Sequence, residues 1–288
     1  MTGNRHSHDL GLANDMPRMI GRRRLLTLLS GIGLTAASGL PALAAECVAL
    51  PWETAGPYPG DGTNSKSGQI VNVLTEEGVI REDLRTSFGS LTPVADGLRL
   101  DLELTFVDAD GCGPLEDHAI YLWHCDTTGK YSLYDTVNAN YLRGVGITDA
   151  EGKVRFTTIV PGCYDGRWPH FHFEVFSNIE AAISGEASVL TAQIALPEET
   201  CAAVYATDNR YPNGTRNLSR ITIASDNVFA DNTAAQIEQQ MLKMTGDPQN
   251  GYQGELSLPV DFTADRSNAM GQPPGGFGGD RLPPPQNN

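Results

Sequence analysis

The chain has 288 residues, 40% of them hydrophobic, and a formal net charge of −15. So acidic a chain lacks the lysine and arginine clusters that bind phosphate backbones, which excludes nucleic acid as its partner. The length suits one domain with a sizeable core, together with terminal extensions.

The first residues have the layout of an export signal. Residues 1–24 are basic, an uncharged run follows from Leu25 to Leu43, and Ala42-Leu43-Ala44 is typical of a cleavage site. The pair Arg22-Arg23 resembles a twin-arginine signal. We therefore predict a signal peptide at 1–44, the twin-arginine machinery as a partner, and a periplasmic or extracellular product. An uncleaved membrane anchor is the alternative, because the length of the apolar run does not exclude it.

Period-two alternation of apolar and polar residues dominates the middle of the chain. It is clearest from Leu98 to Phe106, where leucines alternate with polar residues, as in a half-buried strand. Clusters of Gly, Asp, Asn and Pro separate such stretches. Strands are predicted at 98–106, 119–126, 153–160, 170–176, 188–196, 219–224 and 254–261. These short strands predict an all-β fold, an antiparallel β-sandwich with few short helices.

Helical spacing of apolar residues occurs in one late segment. Ile237, Met241 and Met244 follow Asn232 and Thr233, which are suitable caps, so a helix is predicted over 232–244. From residue 263 to 288 the chain is rich in Gly, Pro and Asn, and this composition predicts a disordered tail.

The cysteines all follow the predicted signal. There are five of them, so at least one stays unpaired within the chain, and none shows a CxxC spacing. Export permits disulfides, but the spacing leaves the pairing open. A zinc site made of cysteines is not indicated.

Two histidines stand two residues apart in the predicted strand 170–176. His170 and His172 therefore project from the same face, with Phe171 and Phe173 on the other. Neutral imidazoles arranged in this way suit iron, copper or zinc. The alternative is a pair of polar residues on a solvent-facing sheet surface.

Two tyrosines accompany this pair. Tyr164 lies in a turn six residues before His170, and Tyr131 follows the strand 119–126 after a second turn. An isolated tyrosine in such a position is usually a packing residue. Two of them beside an HxH pair indicate a metal site.

The run from Ile120 to Phe176 resembles the intradiol catechol dioxygenase family, which includes protocatechuate 3,4-dioxygenase. The residues that carry the resemblance are Trp123, Gly129-Lys130-Tyr131, Thr148-Asp149, Gly152, Phe156-Thr157-Thr158-Ile159-Val160-Pro161-Gly162, Tyr164 and Arg167 through His172. Outside this run the similarity is weaker. It extends to Glu53-Thr54-Ala55-Gly56-Pro57-Tyr58, which is similar to a family segment that borders the substrate.

The resemblance implies a non-haem iron(III) site. It places Tyr131, Tyr164, His170 and His172 on the metal, with Tyr164 at the position of the ligand that the substrate displaces. It implies a catechol-type aromatic and O₂ as substrates and a cis,cis-muconate-type product.

Further roles also come from the resemblance. Arg167 and Gln193 match an arginine and a glutamine beside the metal, and Tyr164 is a candidate for taking up a substrate proton. The segment 45–97 becomes an extension bordering the active site, in which Thr54, Gly56, Pro57 and Tyr58 contact substrate. The segment 98–262 becomes the catalytic domain.

Departures from the family pattern concern the substrate pocket. The loop from Tyr164 to His170 is short, and Trp168 replaces a proline, which leaves the preferred catechol open. The alternatives are a non-catalytic β-sandwich binding module, or a copper or zinc site on the HxH pair. Whether the chain forms a homo-oligomer is open as well.

Overall fold

The computed structural model describes residues 47–264, so the predicted signal at 1–44 and nearly all of the predicted tail lie outside the described residues. The described part contains ten strands. They are β1 Asp61–Lys66, β2 Gln69–Asn72, β3 Arg99–Asp108, β4 Ala119–Trp123, β5 Arg143–Ile147, β6 Lys153–Ile159, β7 His170–Phe176, β8 Leu190–Ala195, β9 Lys243–Asp247 and β10 Gly251–Val260.

Short helices connect the later strands. They are α1 Ile179–Ser184, α2 Glu198–Thr207, α3 Gly214–Leu218 and α4 Ala234–Gln240, with a 3₁₀ turn at Ile223–Ser225. The prediction of a mostly β chain with few short helices is confirmed. Within the described residues, no helix is long and apolar enough to cross a membrane.

Two four-stranded sheets hold the core. Their strand orders are β6-β3-β10-β9 and β5-β4-β7-β8, and β1 and β2 form a separate hairpin. One hydrophobic cluster draws on both sheets, and the ring of Phe106 on β3 meets the edge of Phe173 on β7, with 5.6 Å between centroids. Burial of each such side chain contributes roughly 1.5–3 kcal/mol.

The expectation of purely antiparallel strands is wrong at one position. β10 runs parallel to β3, with Leu256 opposite Leu104. Parallel neighbours need a long crossover connection. Here a long connection that contains the later helices precedes β9, and β9 and β10 form an antiparallel hairpin. β10 therefore runs beside β3 in the same direction as β3.

Two further element predictions are corrected. Residues 219–224 form no strand, because Thr222 and Ser225 cap the 3₁₀ turn reciprocally. The helix expected over 232–244 is confined to Ala234–Gln240. Its end is fixed by Leu242, whose N–H donates to the carbonyl of Ala195, after which the chain continues into β9.

A disulfide anchors the start of the described chain. Cys47 pairs with Cys112 in the turn after β3, and the other three cysteines are buried outside any disulfide. Backbone bonds continue the attachment, from Leu50 N to Pro259 O and from Glu53 N to Thr191 O. The segment that follows, residues 53–60, is thereby held beside β7 and β8.

Candidate metal centre

Strand β7 presents both candidate histidines on one face. His170 and His172 are 2% and 3% exposed, and their Nε2 atoms lie 3.1 Å apart. Phe171 and Phe173 point into the core on the other face, as the alternation predicted. The alternative of a solvent-facing histidine pair is therefore wrong.

The two candidate tyrosines reach the same point. Tyr131 Oη lies 3.2 Å from His172 Nε2 and 3.5 Å from His170 Nε2. Tyr164 Oη lies 3.3 Å from His170 Nε2. The structure thus brings together two phenol oxygens and two imidazole nitrogens from three separate segments of the chain.

Gly129 explains how the two tyrosine segments come close. It has a φ of +83°, and a Cβ at this position would lie 2.6 Å from the Cβ of Tyr164. Only glycine permits both this backbone conformation and this approach. The glycine of the Gly129-Lys130-Tyr131 motif is therefore required by packing around the site.

Hydrogen bonding assigns the free nitrogen of one histidine. His170 Nδ1 is bonded to the carbonyl of Trp168, so it carries the proton and Nε2 keeps its lone pair. The ring of His172 stacks on Trp123, with centroids 5.0 Å apart and planes 7° apart. Both rings are thus held with Nε2 toward the tyrosines.

Burial governs the protonation of all four groups. It lowers the pKa of both histidines well below the ordinary value, and the charge of Arg167 lowers each further. Burial also raises the pKa of Tyr131 and raises that of Tyr164 to about 12. The imidazoles are therefore neutral and available as ligands, whereas the phenols ionise only if a cation stabilises the phenolates.

The donor set fits a hard, highly charged metal ion. Two phenolate oxygens suit a trivalent cation, and neutral imidazoles suit iron. The described residues contain no group of three or more His, Cys, Asp or Glu arranged to hold a metal. His124, the nearby spare histidine, is engaged through Nδ1 with Cys125 O and through Nε2 with Thr158 Oγ1.

Arg167 and Gln193 form a chain of hydrogen bonds at the site. Arg167 Nη2 donates to Gln193 Oε1 at 2.7 Å, and Gln193 Nε2 donates to the carbonyl of Thr54 at 2.9 Å. Gln193 also stands opposite His172 across the strand pair β7–β8. These three predicted residues are brought together, and only 13% of the Arg167 side chain is exposed.

Asp226 is a residue that the sequence reasoning missed. Its buried carboxylate accepts from Arg167 Nε at 2.9 Å and from Trp168 N at 2.7 Å through Oδ2. Its Oδ1 accepts from the backbone N–H groups of Val228 and Phe229. Asp226 lies 59 residues after Arg167 and in no motif, so no local signal pointed to it.

The remaining predicted residues lie along the segment 54–58. Gly56 has a φ of +71°, and a Cβ there would be 3.4 Å from His172 Cε1. The ring of Tyr58 packs against Tyr131, with 5.3 Å between centroids, whereas Pro57 is exposed. Thr54, Gly56 and Tyr58 therefore border the centre, and Pro57 faces solvent.

Arg143, also missed from the sequence, holds this border in place. Its fully buried guanidinium donates to the carbonyls of Tyr58 at 2.9 Å, Pro59 at 2.6 Å and Ser132 at 3.1 Å. One side chain thus fixes both the segment that carries Tyr58 and the loop that follows Tyr131.

Comparisons with known proteins agree with this arrangement. Residues 77–181, which include all four candidate ligands, match the family model described as dioxygenase. A solved intradiol ring-cleavage dioxygenase from Tetranychus urticae is 23% identical, with 76% of this chain and 96% of that chain covered and a TM-score of 0.56. The chain has the intradiol dioxygenase fold.

A second solved structure is the dioxygenase domain of a dioxygenase carbohydrate-binding protein fusion from the cellulolytic bacterium Streptomyces sp. SirexAA-E. It is 23% identical and has a TM-score of 0.43, with 74% of this chain and 99% of that chain covered. No curated protein gives a significant match to the sequence.

Proposed function

We propose that this protein is a non-haem iron(III) intradiol dioxygenase that cleaves catechol-type aromatics. The observation that carries the proposal is the convergence of four side chains, Tyr131, Tyr164, His170 and His172. Four pairs of their phenol oxygens and imidazole Nε2 atoms lie 3.1–3.5 Å apart. These four side chains would hold the iron. The non-catalytic alternative lacks a comparable reason for burying two neutral imidazoles against two phenols.

The reaction balances without a cofactor beyond the metal. One catechol and one O₂ give one cis,cis-muconic acid, in which both oxygen atoms of O₂ are incorporated. When bound, Fe(III) supplies a Lewis acid that makes the catecholate reactive toward O₂. No external reductant is required.

The side chains of this protein would bind the substrate and handle its protons. Tyr164 has the more exposed of the two phenols, so it would be the one better placed to make room for a catecholate. Its Oη would then hold one of the two protons that the catechol loses. Since burial raises the pKa of Tyr164 to about 12, a phenol released from the metal retains that proton at neutral pH.

Arg167 would stabilise negative charge on the reacting ring and on its oxygens. Its guanidinium carries the charge, and Asp226 and Gln193 fix its direction. A fixed donor in a site that excludes water stabilises developing charge far better than a mobile one. Thr54, Gly56 and Tyr58 would form the wall against which the ring lies.

We also propose export by the twin-arginine route. The supporting observations are Arg22-Arg23 with the uncharged run behind it, and the disulfide between Cys47 and Cys112. Disulfides persist in oxidising compartments outside the cytoplasm. Homo-oligomer formation stays a prediction.

Isotope incorporation tests the reaction directly. The iron-loaded protein is incubated with catechol under ¹⁸O₂, and the ring-opened product is analysed by mass spectrometry. We expect a muconate that carries both labelled atoms. A product with one labelled atom, or a product cleaved outside the two hydroxylated carbons, would contradict intradiol cleavage.

A further inference from the structure

A cavity of about 590 Å³ lies on the same face of β7 as the candidate ligands, further along the strand. Glu174, two residues after His172, and Phe176 form one wall. Trp52 and Asp61 come from the N-terminal segment, and Thr191 comes from β8. None of the four candidate metal ligands lines this cavity, so it is separate from the metal centre.

All formal charges around the cavity are negative. The ionisable side chains that line it are Glu53, Asp61, Glu174 and Glu186, and no described lining residue is a lysine, arginine or histidine. Asn232 and Gln240 donate to Glu53 Oε1. Two neutral side chains thus donate to this carboxylate oxygen of Glu53.

Glu174 is the least compensated of these groups. It is 5% exposed, and Thr191 Oγ1 donates to its Oε1 at 3.2 Å. Its Oε2 is buried and has no hydrogen-bond partner among the described residues.

Buried carboxylates are normally paired with a cation or saturated by donors, because an uncompensated buried charge is costly. The described residues supply neither to Glu174 Oε2. A cation in the cavity would satisfy this oxygen and relieve the repulsion between Glu174 and Asp61. The unpartnered oxygen is therefore an independent sign that a ligand is expected here.

The lining favours an organic cation over a metal ion. The cavity has room for a molecule of several carbon atoms, and Trp52 and Phe176 offer aromatic surfaces that attract cations. An ammonium group has three N–H donors, which match two carboxylates and a hydroxyl such as that of Thr191.

We propose that this acidic cavity binds the ammonium group of a small organic amine, held between Asp61 and Glu174 with its carbon skeleton against Trp52 and Phe176. The site is independent of the proposed ring cleavage, because it shares no lining residue with the metal centre.

The test is calorimetric titration of the full-length mature protein with three probes of similar size. They are phenethylamine, neutral 2-phenylethanol and anionic 3-phenylpropionate, measured at pH 8.5, where the amine is protonated. We expect the amine to bind at least about tenfold more tightly than the alcohol, a difference of about 1.4 kcal/mol, and the carboxylate not to bind. Glu174→Gln and Asp61→Asn should each weaken amine binding about tenfold or more, whereas Glu255→Gln, at an exposed position on β10, should not.

Glu174→Gln is nearly isosteric and removes a buried charge, so loss of the fold is not expected, and a thermal melt verifies this. Equal binding of amine and alcohol, or unchanged amine binding in folded Glu174→Gln, would overturn the proposal. So would binding of Ca²⁺ alone, lost in the same two variants, with no binding of the amine. Catechol turnover is measured in parallel, and its absence would count against the proposed function without affecting this result.

Discussion

Replacement of Asp226 by asparagine should impair the reaction through Arg167 while leaving the metal in place. The carboxylate accepts four N–H groups on its two oxygens, from Arg167, Trp168, Val228 and Phe229. Asparagine has only one acceptor oxygen, so its NH₂ group would point at the two N–H groups that bond to the other carboxylate oxygen of Asp226. Breaking a buried ion pair costs about 3–5 kcal/mol of folding free energy. In a domain of this size that lowers Tm by about 6–20 °C.

The activity loss follows from the freedom that Arg167 gains. Removing a fixed charge donor from an active site typically costs about 10²–10³ in kcat. We expect Arg167→Ala to show this loss. Asp226→Asn keeps the guanidinium but loses its anchor, so we expect kcat to fall about 10- to 100-fold. The assay is oxygen uptake with catechol, alongside the visible absorption of the iron site, which should keep its intensity.

A double-mutant cycle separates positioning from general destabilisation. If Asp226 acts through Arg167, then adding Asp226→Asn to Arg167→Ala should change kcat by less than about twofold. The double variant should also have a higher Tm than Arg167→Ala, because Arg167→Ala alone leaves the buried carboxylate of Asp226 without its cation. Asp96→Asn, in an exposed ion pair with Arg210, serves as the control and should change little. If Asp226→Asn lowered kcat by the same factor whether residue 167 is arginine or alanine, Asp226 would not act through Arg167.

Four other perturbations have defined outcomes. His172→Ala should abolish iron retention, measured by metal analysis, whereas His118→Ala should retain it, because the His118 ring lies outside the site, bonded to the carbonyl of Glu116 and packed beside Phe262. Gly129→Ala and Gly185→Ala should each lower stability in denaturant titrations by about 1–3 kcal/mol for backbone strain, since φ is +83° and +81°. Gly129→Ala should cost more than Gly185→Ala, because only the Cβ added at Gly129 would meet Tyr164. Cys47→Ser should lower the free energy of unfolding, measured in thermal melts, by about 4 kcal/mol, because the unfolded chain regains the entropy of the closed loop. A loss below about 1 kcal/mol would contradict a stabilising role for the disulfide. Iron content after dialysis should fall as the pH is lowered, because both tyrosines must lose protons to bind and burial raises the pKa of each. Retention that does not depend on pH would argue against phenolate ligands.

The convergence of the four candidate side chains was more predictable from sequence than the fold around them. His170 and His172 could be placed on one face because strand alternation is strict, and Tyr131 and Tyr164 because motifs carry them. Asp226 and Arg143 could not be found, since each acts on residues tens of positions away, through contacts that only the folded chain creates.

The errors in the elements have a common cause. The alternation of Ile221 and Ile223 is typical of a strand, but both side chains pack on the core from a turn that Thr222 and Ser225 close. The parallel pairing of β10 with β3 depends on the path through the preceding helices, which hydrophobic periodicity does not encode. Local patterns predicted which side chains are buried better than the direction of the strand that carries them.

The most direct test of the central claim is the visible absorption spectrum of the purified protein, before and after anaerobic addition of catechol. Phenolate ligands on iron(III), from Tyr131 and Tyr164, should give a red-brown charge-transfer band. Chelation of the metal by catechol should move that band to longer wavelength. A protein that stays colourless after reconstitution with iron would contradict the proposed centre and favour the non-catalytic binding module.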